Sequence, residues 1–262
     1  MAKTIAVCNQ KGGTGKTTTT INLASALAVL GKNVLIVDMD PQGNAGSGVG
    51  VNKNEIKDSL YDVLIHRILI AEALVKTNFS KLEIIPCNIN LTGAEIELVG
   101  VFSRETRLKK ALEPIKKNYD FIFIDSPPSL GLLTLNTLVA ADSILIPIQC
   151  EFYALEGVSQ LLNTITLVKD GLNPDLHIEG VLMTMADFRT NLTNEVIGEI
   201  KNYFKEKVYN SIIPRNIRLS EAPSFGKPIN FYDSVSAGAV KYRELAEEFL
   251  IANGKAQQPT SI

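Results

Sequence analysis

The chain has 262 residues, 45% of them hydrophobic, and a formal net charge of −2. That length carries one large α/β domain or two small ones with a full core, and the charge balance excludes a uniform polycation. No apolar run approaches the roughly 20 residues needed to cross a bilayer, and three widely spaced cysteines, Cys8, Cys87 and Cys150, fit a reduced cytosol and show no metal-ligand spacing.

Met1-Ala2-Lys3-Thr4 runs directly into the first predicted strand, Thr4–Asn9, with no signal peptide read before it. A glycine-rich loop comes next, Lys11-Gly12-Gly13-Thr14-Gly15-Lys16-Thr17-Thr18, and then a helical pattern over Thr17–Leu30. Strand, glycine-rich loop and helix form the context of a phosphate-binding loop. Glycines let successive N–H groups turn toward one anion, and the helix N-terminus adds partial positive charge. Lys16 is placed to reach the β- and γ-phosphates of a nucleotide, and the Thr17 hydroxyl to bind Mg²⁺. The usual pattern would have glycine at position 10, where this chain has Gln10, and it carries an additional lysine, Lys11. A lysine there can neutralise a nucleotide held by a second subunit, as an arginine finger does.

Val34–Asp38 is the second predicted strand, and it runs on into Met39-Asp40-Pro41-Gln42. Alternate strand residues share a face, so Asp38 and Asp40 both point toward the phosphate loop. One of the two is placed to sit in the Mg²⁺ water shell, the other to orient the attacking water. Gly43–Gly50 is rich in glycine and is read as a switch segment that orders on the γ-phosphate, the alternative being a flexible connection.

Helices follow at Ser59–Leu64, Thr92–Leu98 and Arg104–Lys117, with a strand at Leu82–Pro86. The strand Phe121–Asp125 ends on an aspartate before Ser126-Pro127-Pro128, the form of a Walker B element, in which Asp125 holds Mg²⁺ directly or through water. Beyond it the pattern predicts helices at Leu130–Ala140, Ala154–Val168, Asn194–Phe204 and Ala237–Ala252, and strands at Ser143–Pro147, Ile178–Thr184 and Val208–Ile212. Several strands are apolar at consecutive positions, as strands covered on both faces are. The fold class is therefore α/β, a doubly wound, mostly parallel sheet flanked by helices on both faces, of the P-loop NTPase kind. Residues 1–253 form a single domain, and 254–262 read as a polar, disordered tail. His66 and His177, the two histidines, lie in no motif.

Lys11–Thr18 resembles the deviant Walker A loop of the ParA/MinD superfamily of P-loop ATPases. Asp38-Met39-Asp40-Pro41-Gln42-Gly43-Asn44 and Ile124-Asp125-Ser126-Pro127-Pro128 resemble its two further motifs. Asp187-Phe188-Arg189-Thr190-Asn191 and the segment from Ile213 to Ser224 resemble chromosomal ParA proteins of the Soj type. The resemblance implies ATP and Mg²⁺ as cofactors, with Gly12, Gly13, Thr14, Gly15, Lys16, Thr17 and Thr18 in the nucleotide loop. Gly12 would allow close dimer approach, Lys11 would act across the dimer and Asp40 would support hydrolysis. Thr17, Asp38 and Asp125 are then the metal candidates. Pro214 and Asn216 would lie near the adenine. Arg189 and Arg218 would bind the DNA backbone in an ATP-dependent homodimer that grips double-stranded DNA without sequence preference. A ParB-type centromere-binding protein would stimulate hydrolysis and release, with slow turnover until it arrives, and the replication initiator is a further partner reported for the family. The implied location is cytoplasmic, on the nucleoid when ATP is bound.

The charge pattern agrees. Arg189 to Arg243 holds nine Lys and Arg against five Asp and Glu, a net +4, which leaves −6 on the rest of the chain. A basic segment on an acidic protein attracts phosphates on one face only. A membrane-cycling ATPase of the MinD type would need a basic amphipathic C-terminal helix, whereas this chain ends with Glu244-Leu245-Ala246-Glu247-Glu248 and a polar tail. An iron–sulfur ATPase would need paired cysteines, and a small-molecule synthetase would need a substrate pocket that no motif marks.

Overall fold

The computed structural model describes residues 1–151 and 154–255. Among them the strands are β1 (Lys3–Val7), β2 (Val34–Asp38), β3 (Val75–Lys76), β4 (Leu82–Ile85), β5 (Phe121–Asp125), β6 (Ser143–Gln149) and β7 (His177–Thr184). They form one sheet in the order β3-β4-β2-β5-β1-β6-β7. Every pairing is parallel except that of β3 with β4. The doubly wound α/β expectation holds, and β1 lies inside the sheet with its carboxyl end between those of β5 and β6.

Helices α1 (Lys16–Val29), α2 (Asn44–Gly48), α3 (Leu60–Ile65), α4 (Leu91–Glu97), α5 (Arg107–Leu112) and α6 (Leu132–Ala140) precede β6 in the chain. After it come α7 (Glu156–Gly171), α8 (Asn191–Phe204), α9 (Ile217–Glu221), α10 (Ile229–Tyr232) and α11 (Ala237–Ala252). Alternation along the strands sorts the layers. Val34, Ile36, Phe121 and Phe123 face a core with α1 and α11, while Leu35, Val37, Ile122 and Ile124 face one with α3 to α6. A third cluster packs Ile144, Ile146, Val181 and Met183 against α7 and α8. Both faces of the strands are thus buried, which is why their sequences are apolar without alternation.

Besides β3, α9 and α10, for which no element was expected, three segments differ from the sequence expectation. Val208–Ile212 is not a strand. It meets the outer strand at an isolated bridge, Val181 to Val208, where the Tyr209 N–H donates to the Val181 carbonyl at 3.0 Å, and a second isolated bridge, Ala186 to Pro214, lies beyond both segments. The α11 carboxylate of Glu248 accepts the backbone N–H groups of Asn210 and Ser211 at 2.7 and 3.0 Å, so these donors go to a side chain. The segment from Arg104 to Lys117 is not one continuous helix. A 3₁₀ turn at Arg104–Thr106 and a six-residue 3₁₀ helix at Glu113–Asn118 flank α5, and Pro114, which has no N–H, stands where the α pattern ends. The glycine-rich stretch after β2, for which no helix was expected, holds the short helix α2.

β7 carries an irregularity opposite β6. Ile178 pairs with Ile144 and Gly180 with Leu145, leaving Glu179 unmatched. Such a bulge re-aims a side chain. Glu179 meets Lys3 of β1 at 2.5 Å and accepts a hydrogen bond from Asn253 at 2.7 Å. Lys255 lies against the body, with its ammonium over the Phe121 ring. The expectation of a disordered tail falls chiefly on 256–262, outside the described residues.

Candidate nucleotide-binding site

The loop joining β1 to α1 is fastened from below. Asn9 Nδ2 donates to the Pro147 carbonyl at 2.7 Å, and Asn9 Oδ1 accepts from the Lys11 N–H at 3.0 Å. The Thr184 hydroxyl, at the end of β7, donates to the Thr14 carbonyl at 2.9 Å. Gly13 and Gly15 take φ of 74° and 87°, the left-handed region that glycine occupies freely. Gly15 is the N-cap of α1, which has neither a side-chain cap nor an acidic residue in its first turn. Its leading N–H groups and the positive end of its dipole therefore face the loop and suit an anion.

Lys16 opens α1 and is buried. Its ammonium donates to the Lys11 carbonyl at 3.1 Å, folded back under the loop. Burial pulls its pKa down, while the Asp125 charge pulls it up. A triphosphate would supply the negative charge that the loop itself lacks.

Asp38 and Asp125 end neighbouring strands in direct register and are fully buried. Burial raises the pKa of both; the Asp40 charge raises that of Asp38 further, and the Asp38 charge that of Asp125. The Gly46 N–H of α2, donating to Asp38 Oδ2 at 2.9 Å, works against this, as do the hydroxyls of Thr17 and Thr20 at Asp125. Thr20 donates to Asp125 Oδ1 at 3.2 Å, but Asp125 Oδ2 is buried with no hydrogen-bond partner. Two buried carboxylates, one orphaned oxygen and a nearby threonine hydroxyl are a hard, oxygen-rich set that a divalent cation would relieve. Asp40 lies half-buried at the rim, where its Oδ1 accepts from the Gln42 N–H at 3.0 Å.

Lys11 is turned out of the loop, its side chain 41% exposed. Its ammonium is 3.5 Å from one oxygen of Glu151, whose other oxygen is 3.7 Å from the Arg215 guanidinium. Pro214 and Asn216 line a cavity of about 320 Å³ together with Gly15, Thr18, Thr184 and Met185. That places them beside the phosphate loop. Asn216 Oδ1 also caps α9 by accepting from the Arg218 N–H at 2.9 Å.

Arg189 and Arg218 stand apart from this cluster and are exposed. Both are paired within the chain. Arg189 makes a two-pronged contact with Asp187, at 2.8 and 2.6 Å. Arg218 meets Glu221 at 2.9 Å and Asp233 at 3.4 Å. The cysteines are buried free thiols, and burial is the first cause pushing Cys8 up to about 12 and Cys150 to about 11. Residues that sequence reasoning missed are Asn9, Thr20, Thr184 and Glu151. Thr20 falls one helical turn after Lys16 and was open to inference; Thr184 and Glu151 reach the loop only through the strand order.

Comparison with known proteins agrees with this geometry. Residues 2–178 match a protein family described as an AAA domain. The sporulation initiation inhibitor protein Soj of Bacillus subtilis is 59% identical over 254 residues, covering 97% of this chain and 100% of that protein. The chromosome partitioning protein ParA of Myxococcus xanthus is 54% identical over 250 residues, covering 95% and 88%. Among solved structures, cobyrinic acid a,c-diamide synthase from Mycobacterium smegmatis, with bound ADP and magnesium, superposes at a TM-score of 0.85 with 36% identity, covering 100% of both chains. With its phosphate loop, its paired aspartates and this degree of likeness, the chain belongs to the ParA/Soj family of chromosome-partitioning ATPases.

Proposed function

We propose that this chain is an ATP-driven switch in chromosome partitioning. Two copies close on ATP and Mg²⁺, the closed pair holds duplex DNA without reading its sequence, and hydrolysis releases it. The observation that carries the reading is the cluster at the ends of β1, β2 and β5: an uncapped helix N-terminus, the buried Lys16, and Asp38 and Asp125 in register. Backbone N–H groups and Lys16 bind the phosphates, and Pro214 and Asn216 flank the base. Thr17, Asp38 and Asp125 hold Mg²⁺, which when bound neutralises charge on the β- and γ-phosphates. Asp40, at the rim, orients the attacking water.

Lys11 of each copy reaches the phosphates held by the other, which its outward position supports, and Gly12 leaves the loop without a side chain at the approach. Arg189 and Arg218 of both copies then face one DNA backbone. Doubling the cationic contacts strengthens retention steeply and makes it salt-dependent. A ParB-type centromere-binding protein triggers hydrolysis, and the unstimulated rate is slow. The closed form resides on the nucleoid.

Retention of a random-sequence duplex tests the reading. ATP-loaded protein is expected to be retained at moderate salt and ADP-loaded protein to wash off. Asp40→Ala with ATP is expected to elute as a dimer and to stay on DNA. Equal retention of the two nucleotide forms, or a monomeric Asp40→Ala, overturns it.

A further inference from the structure

Beyond the nucleotide cluster, on the layer of α3 and α5, a cavity of about 460 Å³ is lined by Val63, Arg67, Ile68, Phe102, Arg107 and Lys110. The chain has seven arginines. Five of them, Arg104, Arg189, Arg215, Arg218 and Arg243, meet a carboxylate or a carbonyl. Among the described residues, Arg67 and Arg107 meet neither, and both line this one cavity. Lys110 beside them also lacks an acidic partner among the described residues. Like charges held together without a counter-ion repel, and a bound anion removes the repulsion. The Arg107 pKa is lowered, first by burial and then by the Arg67 charge.

The cavity is not purely ionic. Val63 and Ile68 are part of its wall, and Phe102 stands at its edge with 94% of its surface exposed. Leu69, next to Ile68, is 69% exposed. Guanidinium groups beside an exposed aromatic ring are the composition of a protein-recognition patch. A phosphate group alone would leave the ring and the aliphatic wall in water. A DNA backbone meets a row of cations on a ridge, whereas these three surround a hollow. Residues 256–262, Ala-Gln-Gln-Pro-Thr-Ser-Ile, contain no aspartate or glutamate, so they do not supply the missing charge from a side chain.

We propose that the hollow between α3 and α5 is a docking site for an acidic peptide segment of a protein partner, with carboxylates on Arg67, Arg107 and Lys110 and an apolar side chain against Phe102. The site belongs to the α3–α6 layer, whereas the helix of Arg218 packs in the α1–α11 layer. Docking there therefore leaves Arg218 free, and the inference does not depend on the nucleotide cycle.

A dye-labelled peptide of alternating Glu and Phe, titrated against the full chain by fluorescence anisotropy, tests it. Saturable binding is expected, weakened about tenfold or more by Arg67→Glu. The double variant Arg67→Gln/Lys110→Gln, at two exposed positions, is expected to weaken it in the same direction while melting like the parent. A peptide with Gln in place of Glu is expected to bind at least about tenfold more weakly. Absence of saturation, or parental affinity in both variants, overturns the proposal. So does equal affinity for the Gln peptide, which would make the hollow merely apolar. Inorganic tripolyphosphate or a short random duplex displacing the probe as well as unlabelled peptide also overturns it, in favour of a phosphate site.

Discussion

Lys3, Glu179 and Asn253 bring β1, β7 and the end of α11 to one point. Glu179 is almost enclosed, its side chain 5% exposed. Burial raises its pKa, but Lys3, Ser143 and Asn253 outweigh that, and the net direction is down. A carboxyl that holds its proton less tightly folded than unfolded stabilises fully above the unfolded value of about 4.3, and the contribution fades as pH falls through the folded value. Lys3→Met removes the cation and leaves the carboxylate enclosed. It is expected to destabilise the chain at pH 7 by about 2 kcal/mol, and the gap from the parent should narrow below about pH 4. Urea titrations at the two pH values check both statements. Residues inside short motifs were legible without coordinates. Lys16, Thr17 and Asp125 each stand at the junction of a strand or helix with its loop, where local pattern suffices. Glu151 was not legible, because its meeting with Lys11 spans 140 positions and depends on β6 lying beside β1.

At the scale of elements, α2 shows why composition misled. Glycine lowers helix propensity, so Asn44–Gly48 reads as a linker. Its helix is held by tertiary contacts instead, through the Gly46 N–H to Asp38 and through a backbone-to-backbone approach of Gly50 to Gly226. A Cβ at Gly226 would lie 2.8 Å from the Gly50 Cα, and its φ is +61°. Gly226→Ala is expected to destabilise the chain by about 1–3 kcal/mol, read from the urea midpoint. This contact ties the segment after Asp40 to the one that follows α9 and Arg218. The segment Val208–Ile212 failed for the opposite reason. Its apolar residues pack as a strand's would, so periodicity cannot tell a ladder from a bare edge; only the position of Glu248 does. The two-residue β3 is too short for any periodic signal.

At the scale of the whole molecule, charge is divided along the chain, with the stretch from Arg189 to Arg243 net basic and the rest net acidic. Arg218→Glu and Arg189→Glu are each expected to abolish retention on duplex DNA while leaving ATP-dependent dimerisation intact, as measured by filter binding and size exclusion in parallel. Arg218 has two acidic neighbours and Arg189 one. Both arginines are exposed, so the loss should follow from reversed field rather than from unfolding, and unchanged melting temperatures would verify that. Layer architecture was readable from strands apolar at consecutive positions, as strands covered on both faces are, whereas the assignment of each cation to a partner or to solvent depends on the folded chain. Glu151 has a bearing on assembly that its distances already contain. One anion serves two cations, Lys11 at 3.5 Å and Arg215 at 3.7 Å. If the lysine swings outward to a neighbouring copy, the arginine stays behind, and the acid is never stranded. Detachment therefore demands little, and the same side chain has a harbour to return to once the neighbour departs.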